Sequence, residues 1–187
     1  MTIYIALLRG INVGGKNIIK MSNLKEVFEN MGLCQVQTYI QSGNVLFKSN
    51  EEEEPLRKKI EHEIEETFGL SISIILRTSS ELEAIIRNFP FSEEEAPSSK
   101  VESSYVSLLL HAPLQENMDR LKAYKTESEE YLIEGREVFL FFRNSIRNSK
   151  LASHLHKLDV PSTVRNWKTI NKLAALAKVM DSYGEKL

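Results

Sequence analysis

Leu7–Asn17, reading LLRGINVGGKN, closes an apolar run that began at Ile3 and replaces it with an arginine, three glycines, a lysine and two asparagines. Ile3, Tyr4, Ile5, Ala6, Leu7 and Leu8 predict a strand buried on both faces, because a half-exposed strand would alternate apolar with polar. A buried strand that runs into glycine-rich backbone and amide side chains is a common place for a ligand site in α/β-type proteins. The expected ligand carries oxygen acceptors or negative charge. No catalytic set accompanies the loop, so whether the chain is an enzyme stays open.

The periodicity beyond this loop alternates strand and helix. Leu24, Val27, Phe28 and Met31 have helical spacing after a predicted cap at Ser22. Gln35–Ile40 and Val45–Lys48 predict a hairpin through Gln41-Ser42-Gly43-Asn44. Pro55 is expected to open a helix carrying Leu56, Ile60, Ile64 and Phe68, and Ile72–Arg77 to form a further strand. The second half repeats the order: strand Tyr105–Leu110, helix Leu114–Tyr124, hairpin Glu130–Glu134 with Glu137–Phe142, helix Ser149–Leu158 and strand Ser162–Arg165. Trp167–Met180 adds a closing helix, and Ser80–Asn88 a helix between the halves.

The expected fold is therefore α+β, two ferredoxin-like βαββαβ units in tandem with an extra C-terminal helix. Residues 1–89 would form the first unit with its linking helix, 90–100 a linker, and 101–187 the second unit and closing helix. An RNA-recognition module of similar topology leaves a sheet face open for base stacking. Apolar runs such as Val138–Phe142 argue against that.

Gly10–Lys16 matches the phosphate-loop spacing, but Asn17 stands where a hydroxyl would hold magnesium, and no later strand supplies a magnesium-binding Asp. What survives is an anion-binding concavity of consecutive amides with Lys16. In a βαββαβ sheet the first strand lies antiparallel to the third, so the 9–17 loop and the 41–44 turn should share one edge. Arg9, Asn12, Gly14, Gly15, Lys16, Asn17, Gln41, Ser42 and Asn44 are the expected ligand-binding residues there. Arg165, beside the start of the final helix, is a further candidate for an anion. Asn166 is expected to cap that helix.

Composition bounds the alternatives. The 187 residues carry a net charge of −2, with 42% hydrophobic and 27% charged residues, ordinary for a globular chain. Arg136–Lys172 holds eight basic and two acidic residues, which makes nucleic-acid binding through that region the alternative reading. A homodimer or an uncharacterised enzyme are the others. No Cys/His spacing suits a metal, and no pattern names a cofactor. Cys34, the one cysteine, is expected to be a small buried thiol in a reducing cytoplasm. No run reaches the roughly 20 apolar residues a bilayer span requires, so no membrane partner is expected.

Three stretches carry a resemblance. LLRGINVGGKN, then TYIQSGNVLF at Thr38–Phe47, then the late TVRNWKTINKL closely resemble the uncharacterised bacterial family called domain of unknown function sixteen-ninety-seven. Val164 before Arg165 departs slightly from the Thr pair more usual there. The resemblance implies the tandem α+β fold and no activity.

Overall fold

The computed structural model describes residues 1–91 and 103–182. It is α+β, with two four-stranded antiparallel sheets. Two compact units make up the chain, Met1–Ala84 with Lys172–Leu187 as far as residue 182, and Ile85–Asn171. Beyond residue 91, the expected 90–100 linker lies outside the described residues.

In the first unit β1 (Thr2–Leu8) is followed by α1 (Met21–Asn30), β2 (Cys34–Tyr39), β3 (Asn44–Ser49), α2 (Glu53–Phe68) and β4 (Ile74–Thr78), then by α3 (Ser79–Arg87), which belongs to this unit as far as Ala84. The strand order is β2-β3-β1-β4. Tyr4, Ala6 and Leu8 of β1 join Val45, Phe47, Leu76, Leu24, Phe28, Leu56, Ile60 and Ile64 in one core. Phe47 stacks on Tyr4 with centroids 5.9 Å apart and meets the edge of Phe28 at 5.4 Å. Such pairs add about 0.5–1.5 kcal/mol beyond their buried area. Ile3, Ile5, Leu7, Leu46 and Ile75 lie on the opposite face and are buried too. Both faces of the central strands are therefore dry, as their unbroken apolar runs require. Glu61 ties α2 to β4: one carboxylate oxygen pairs with Arg57 at 2.6 Å and the other accepts the Ile74 N–H at 2.9 Å.

The second unit repeats the order with β5 (Ser104–Leu109), α4 (Gln115–Lys122), β6 (Glu129–Glu134), β7 (Glu137–Phe142), α5 (Lys150–Ser153) and β8 (Ser162–Asn166). The last helix, α6 (Trp167–Ser182), begins in this unit and belongs to the first from Lys172 onward. Its sheet runs β6-β7-β5-β8. Val138, Leu140 and Phe142 face a core with Leu121, Leu151, Leu155 and Leu158. On the other side Phe89 stacks on Trp167 at 3.9 Å and meets Phe139, while Phe91 meets Phe141.

Four local expectations are corrected. Ser22 is not the cap of α1. Lys20 holds that position without a side-chain bond, and Ser22 lies inside the first turn. The preceding residue, Ile19, is buried and pinned through its N–H by Asn12, which sets where the helix begins. Pro55 does not open α2; it stands third in a helix that begins at Glu53, where its missing N–H costs nothing. The predicted helix Ser149–Leu158 is broken into α5 and a 3₁₀ turn at Leu155–Leu158. Ser153 Oγ bonds back to the Lys150 carbonyl, competing with the regular ladder, and His154 leaves helical geometry. Cys34 is exposed. It opens an edge strand whose pairing shifts between Cys34 and Gln37, with Gln35 at φ 53°, so Val36 turns inward and the thiol does not follow it.

Candidate functional site

The edge formed by the end of β1 and the start of β3 is built backbone first. Leu8 N–H donates to the Gly43 carbonyl at 2.8 Å, so the hairpin turn abuts the end of the first strand. Gly43 has φ +77°, and a Cβ there would lie 2.8 Å from Ile11 Cδ1 and 2.9 Å from Leu8 Cβ. Only glycine fits that approach.

One side chain staples the loop. Asn12 Oδ1 accepts the Ile19 N–H at 2.9 Å, while Asn12 Nδ2 donates to the carbonyls of Ile19 and Gln41, each at 2.9 Å. The loop and the turn, 29 residues apart in sequence, are thereby joined. Asn17 Nδ2 donates to the Gly10 carbonyl at 3.1 Å, and Asn12 N–H to the Asn17 carbonyl at 3.2 Å. Asn44 is fully buried and donates to the Tyr39 carbonyl and to Ser42 Oγ, both at 3.0 Å. Asn12 and Asn17 hold left-handed backbone, at φ 55° and 49°, which asparagine tolerates better than most residues.

The three asparagines therefore spend their amides on shaping the backbone. The groups left facing outward are different. Arg9, Lys16 and Gln41 are exposed, and among the described residues their side chains make no hydrogen bond or ion pair. Gly14 and Gly15 are exposed at φ 58° and 74°, and among the described residues their N–H groups are unengaged. The loop and the turn it is bonded to thus expose a guanidinium, an ammonium, a carboxamide and two consecutive amide donors. Sequence reasoning did not single out Lys20, Val13, Ile18 or Ile40, which are exposed on the same loop and turn. Their hydropathy alone does not separate outward aliphatics from core ones.

Arg165 belongs to the second unit, in β8, and is buried at 8% exposure. Its Nη1 donates to Thr163 Oγ1 at 2.7 Å and to the Val164 carbonyl at 2.9 Å. Burial pushes its pKa down to about 10, still well above neutrality. Arg77 is its counterpart in the first unit, fully buried in β4. Arg77 pairs across to Ile5 of β1 and Arg165 to Val106 of β5, so each sheet carries an arginine at the same register position. Among the described residues no cluster of His, Cys, Asp or Glu could hold a metal.

Residues 1–139 match the model of the family described as Protein of unknown function (DUF1697). The chain belongs to that family. Among solved structures, this DUF1697 member is similar to the conserved bacterial protein SP0830 from Streptococcus pneumoniae. The two are 28% identical, with a TM-score of 0.73 over 94% of this chain and 98% of that one. No curated protein matches it. The family assigns no activity, so the chemistry has to be read from the site. Among the described residues of this DUF1697 protein no helix is long and apolar enough to cross a membrane.

A second hollow, of about 520 Å³, belongs to the second unit and is lined in part by Ser128, Glu129, Asn144, Asn148 and Lys150. Glu129 is committed there, accepting the Thr126 N–H and hydroxyl through one oxygen. Among the described residues the side chains of Asn144, Asn148 and Lys150 have no partner.

Proposed function

We propose that the loop 9–17 and turn 41–44 edge binds a small anionic or phosphate-bearing ligand. Arg9 and Lys16 neutralise its charge, and the amides of Gly14 and Gly15 donate to its oxygens. Gln41 fixes its orientation from the turn. Asn12, Asn17, Ser42 and Asn44 act one step back, by holding those groups in place. The observation that carries this reading is the pairing of two unpartnered cations with two unengaged consecutive amides on a loop that Asn12 and Asn17 hold in shape. Backbone amides in such a turn form a concavity that favours anions.

The test is calorimetric titration of the full chain with inorganic phosphate and with a nucleoside triphosphate. Lys16→Ala and Arg9→Ala are each expected to weaken binding about tenfold without lowering the melting temperature, the range for a charge-assisted hydrogen bond. Unchanged binding in both variants would refute the assignment, and a falling melting temperature would mark the loop as structural.

The ferredoxin-like description of each unit belongs with this reading. Its support is the βαββαβ element order and an antiparallel sheet in which the first strand lies between the third and the fourth. A reducing, cytoplasmic setting suits the single cysteine.

A second reading, nucleic-acid binding through residues 136–172, is favoured by the hollow beside the unpartnered Lys150 and Asn148. It is narrowed by Arg143, which is paired with Glu130 at 3.1 Å, and by Arg165, which is buried. Binding of short RNA that weakens steeply with salt and is lost in Lys150→Ala would establish it.

A further inference from the structure

Val13, Ile18 and Ile40 are 64%, 66% and 48% exposed, and all three stand on the loop and turn just described. Each neighbours a residue that the Asn12 staple holds: Val13 follows Asn12, Ile18 precedes Ile19, and Ile40 precedes Gln41. The three aliphatic tips are thus gathered by one set of hydrogen bonds. Ile40 is the most informative. It is β-branched yet adopts φ 48°, in a left-handed region where such residues are outliers. Neither burial nor turn geometry accounts for isoleucine there, since glycine or asparagine would turn the chain with less strain. A strained, exposed aliphatic side chain is the kind of outlier that points to function.

The charge on the two stretches that carry these residues is of one sign. Residues 8–25 and 33–48 contain no Asp or Glu, whereas Arg9, Lys16 and Lys20 are exposed within the first stretch. Among the described residues none of these three side chains has a partner. The pattern is exposed aliphatic side chains and uncommitted cations on two joined stretches that carry no Asp or Glu.

We infer that this edge docks on an anionic lipid surface. Val13, Ile18 and Ile40 enter the boundary between headgroups and acyl chains, while Arg9, Lys16 and Lys20 contact the phosphates. The inference rests on the proposed anion site and names its partner. That no helix among the described residues is long and apolar enough to cross a membrane does not bear on it, because loop tips that enter only the interface need none. An amphipathic contact of this kind combines apolar burial with attraction to anionic lipid, so either contribution can be removed separately.

The experiment sediments the full chain with vesicles of phosphatidylcholine alone and of phosphatidylcholine mixed with phosphatidylglycerol. Binding is expected to the mixed vesicles only, and to fall with added salt. Ile40→Asn should lower partitioning about tenfold, the loss of roughly two buried methylene equivalents. Lys16→Ala should lower it about fivefold, one cation near a charged surface. Asparagine adopts left-handed backbone more readily than isoleucine, so the Ile40→Asn variant is expected to melt no lower than the parent, and Val13→Ser provides an independent check. Absence of sedimentation with mixed vesicles, or sedimentation of both apolar variants equal to that of the parent, overturns the inference. So does RNA binding at the same salt that ignores Ile40→Asn. Phosphate titration without vesicles separates the two proposals. Lys16-dependent phosphate binding with no sedimentation refutes the lipid partner alone, and loss of both removes the anion site as well.

Discussion

At the scale of the residue, Gly43 shows how tightly the edge is fitted. Its Cβ would meet Ile11 Cδ1 at 2.8 Å and Leu8 Cβ at 2.9 Å, and the second contact cannot be relieved by turning a flexible side-chain end. Gly43→Ala should therefore cost about 2 kcal/mol or more from overpacking and left-handed strain together, measured by denaturant unfolding. A neutral result would mean that the turn can move away from β1. Tyr4 gives a pH-dependent counterpart. Its hydroxyl donates to the Glu51 carbonyl at 3.0 Å. Burial raises its pKa above 10.0, and the carboxylates of Glu53, Glu52 and Glu81 add to the rise. A phenol held above its unfolded value contributes stability that is whole below pH 10 and fades as pH climbs through the raised folded value. Tyr4→Phe should remove about 1 kcal/mol at neutral pH and flatten the alkaline limb of the stability curve. A curve of unchanged slope would show that other groups govern that limb.

At the scale of the element, the helices that follow the fourth strand of each unit start by the same device, supplied by different residues. Thr78 Oγ1 accepts the Glu81 N–H at 3.2 Å while Glu81 Oε2 accepts the Thr78 N–H at 2.7 Å, a reciprocal capping box at α3. Asn166 Oδ1 accepts the Thr169 N–H at 2.7 Å at α6. Asn166→Ala should cost about 1 kcal/mol and Asn166→Asp much less, since an aspartate caps equally well. Equal losses in thermal melts would mean that the side chain acts through packing instead. The Asn166 cap was legible in the sequence, and so were most strands and their pairing, because each depends on spacing within a few residues. What local pattern could not supply were the places where a distant partner decides. Asn12 and Asn17 look like ligand contacts until the bonds to Ile19, Gln41 and Gly10 are seen. Ser22 reads as a cap only while the pinning of Ile19 is unknown. Cys34 reads as buried until the register shift in β2 separates it from Val36. Arg165 reads as a candidate for an anion beside a helix start, yet its strand position takes the guanidinium inward, where Thr163 and Val164 receive it.

At the scale of the whole molecule, the two units share a frame but not its connections. Both use one element order and one strand order, and both carry a buried arginine at the matching register of the fourth strand. The connection after β1 is a long glycine-rich loop bonded through Asn12, whereas β5 reaches α4 through a short segment containing Pro113. The β2–β3 turn spans Ile40–Gly43, while β6 and β7 are joined by Gly135 and Arg136 alone. A duplicated scaffold with one elaborated edge concentrates binding where loops, rather than core strands, differ. Amide resonances of the full chain followed during titration with inorganic phosphate test that asymmetry directly. Shifts are expected at Gly14, Gly15, Arg9 and Gln41, with Gly135 and Arg136 silent and the fourth-strand arginines unmoved. Should the largest shifts fall within residues 136–172 instead, the anion would be bound by the basic region of the second unit, and the elaborated loop would be a structural closure of β1.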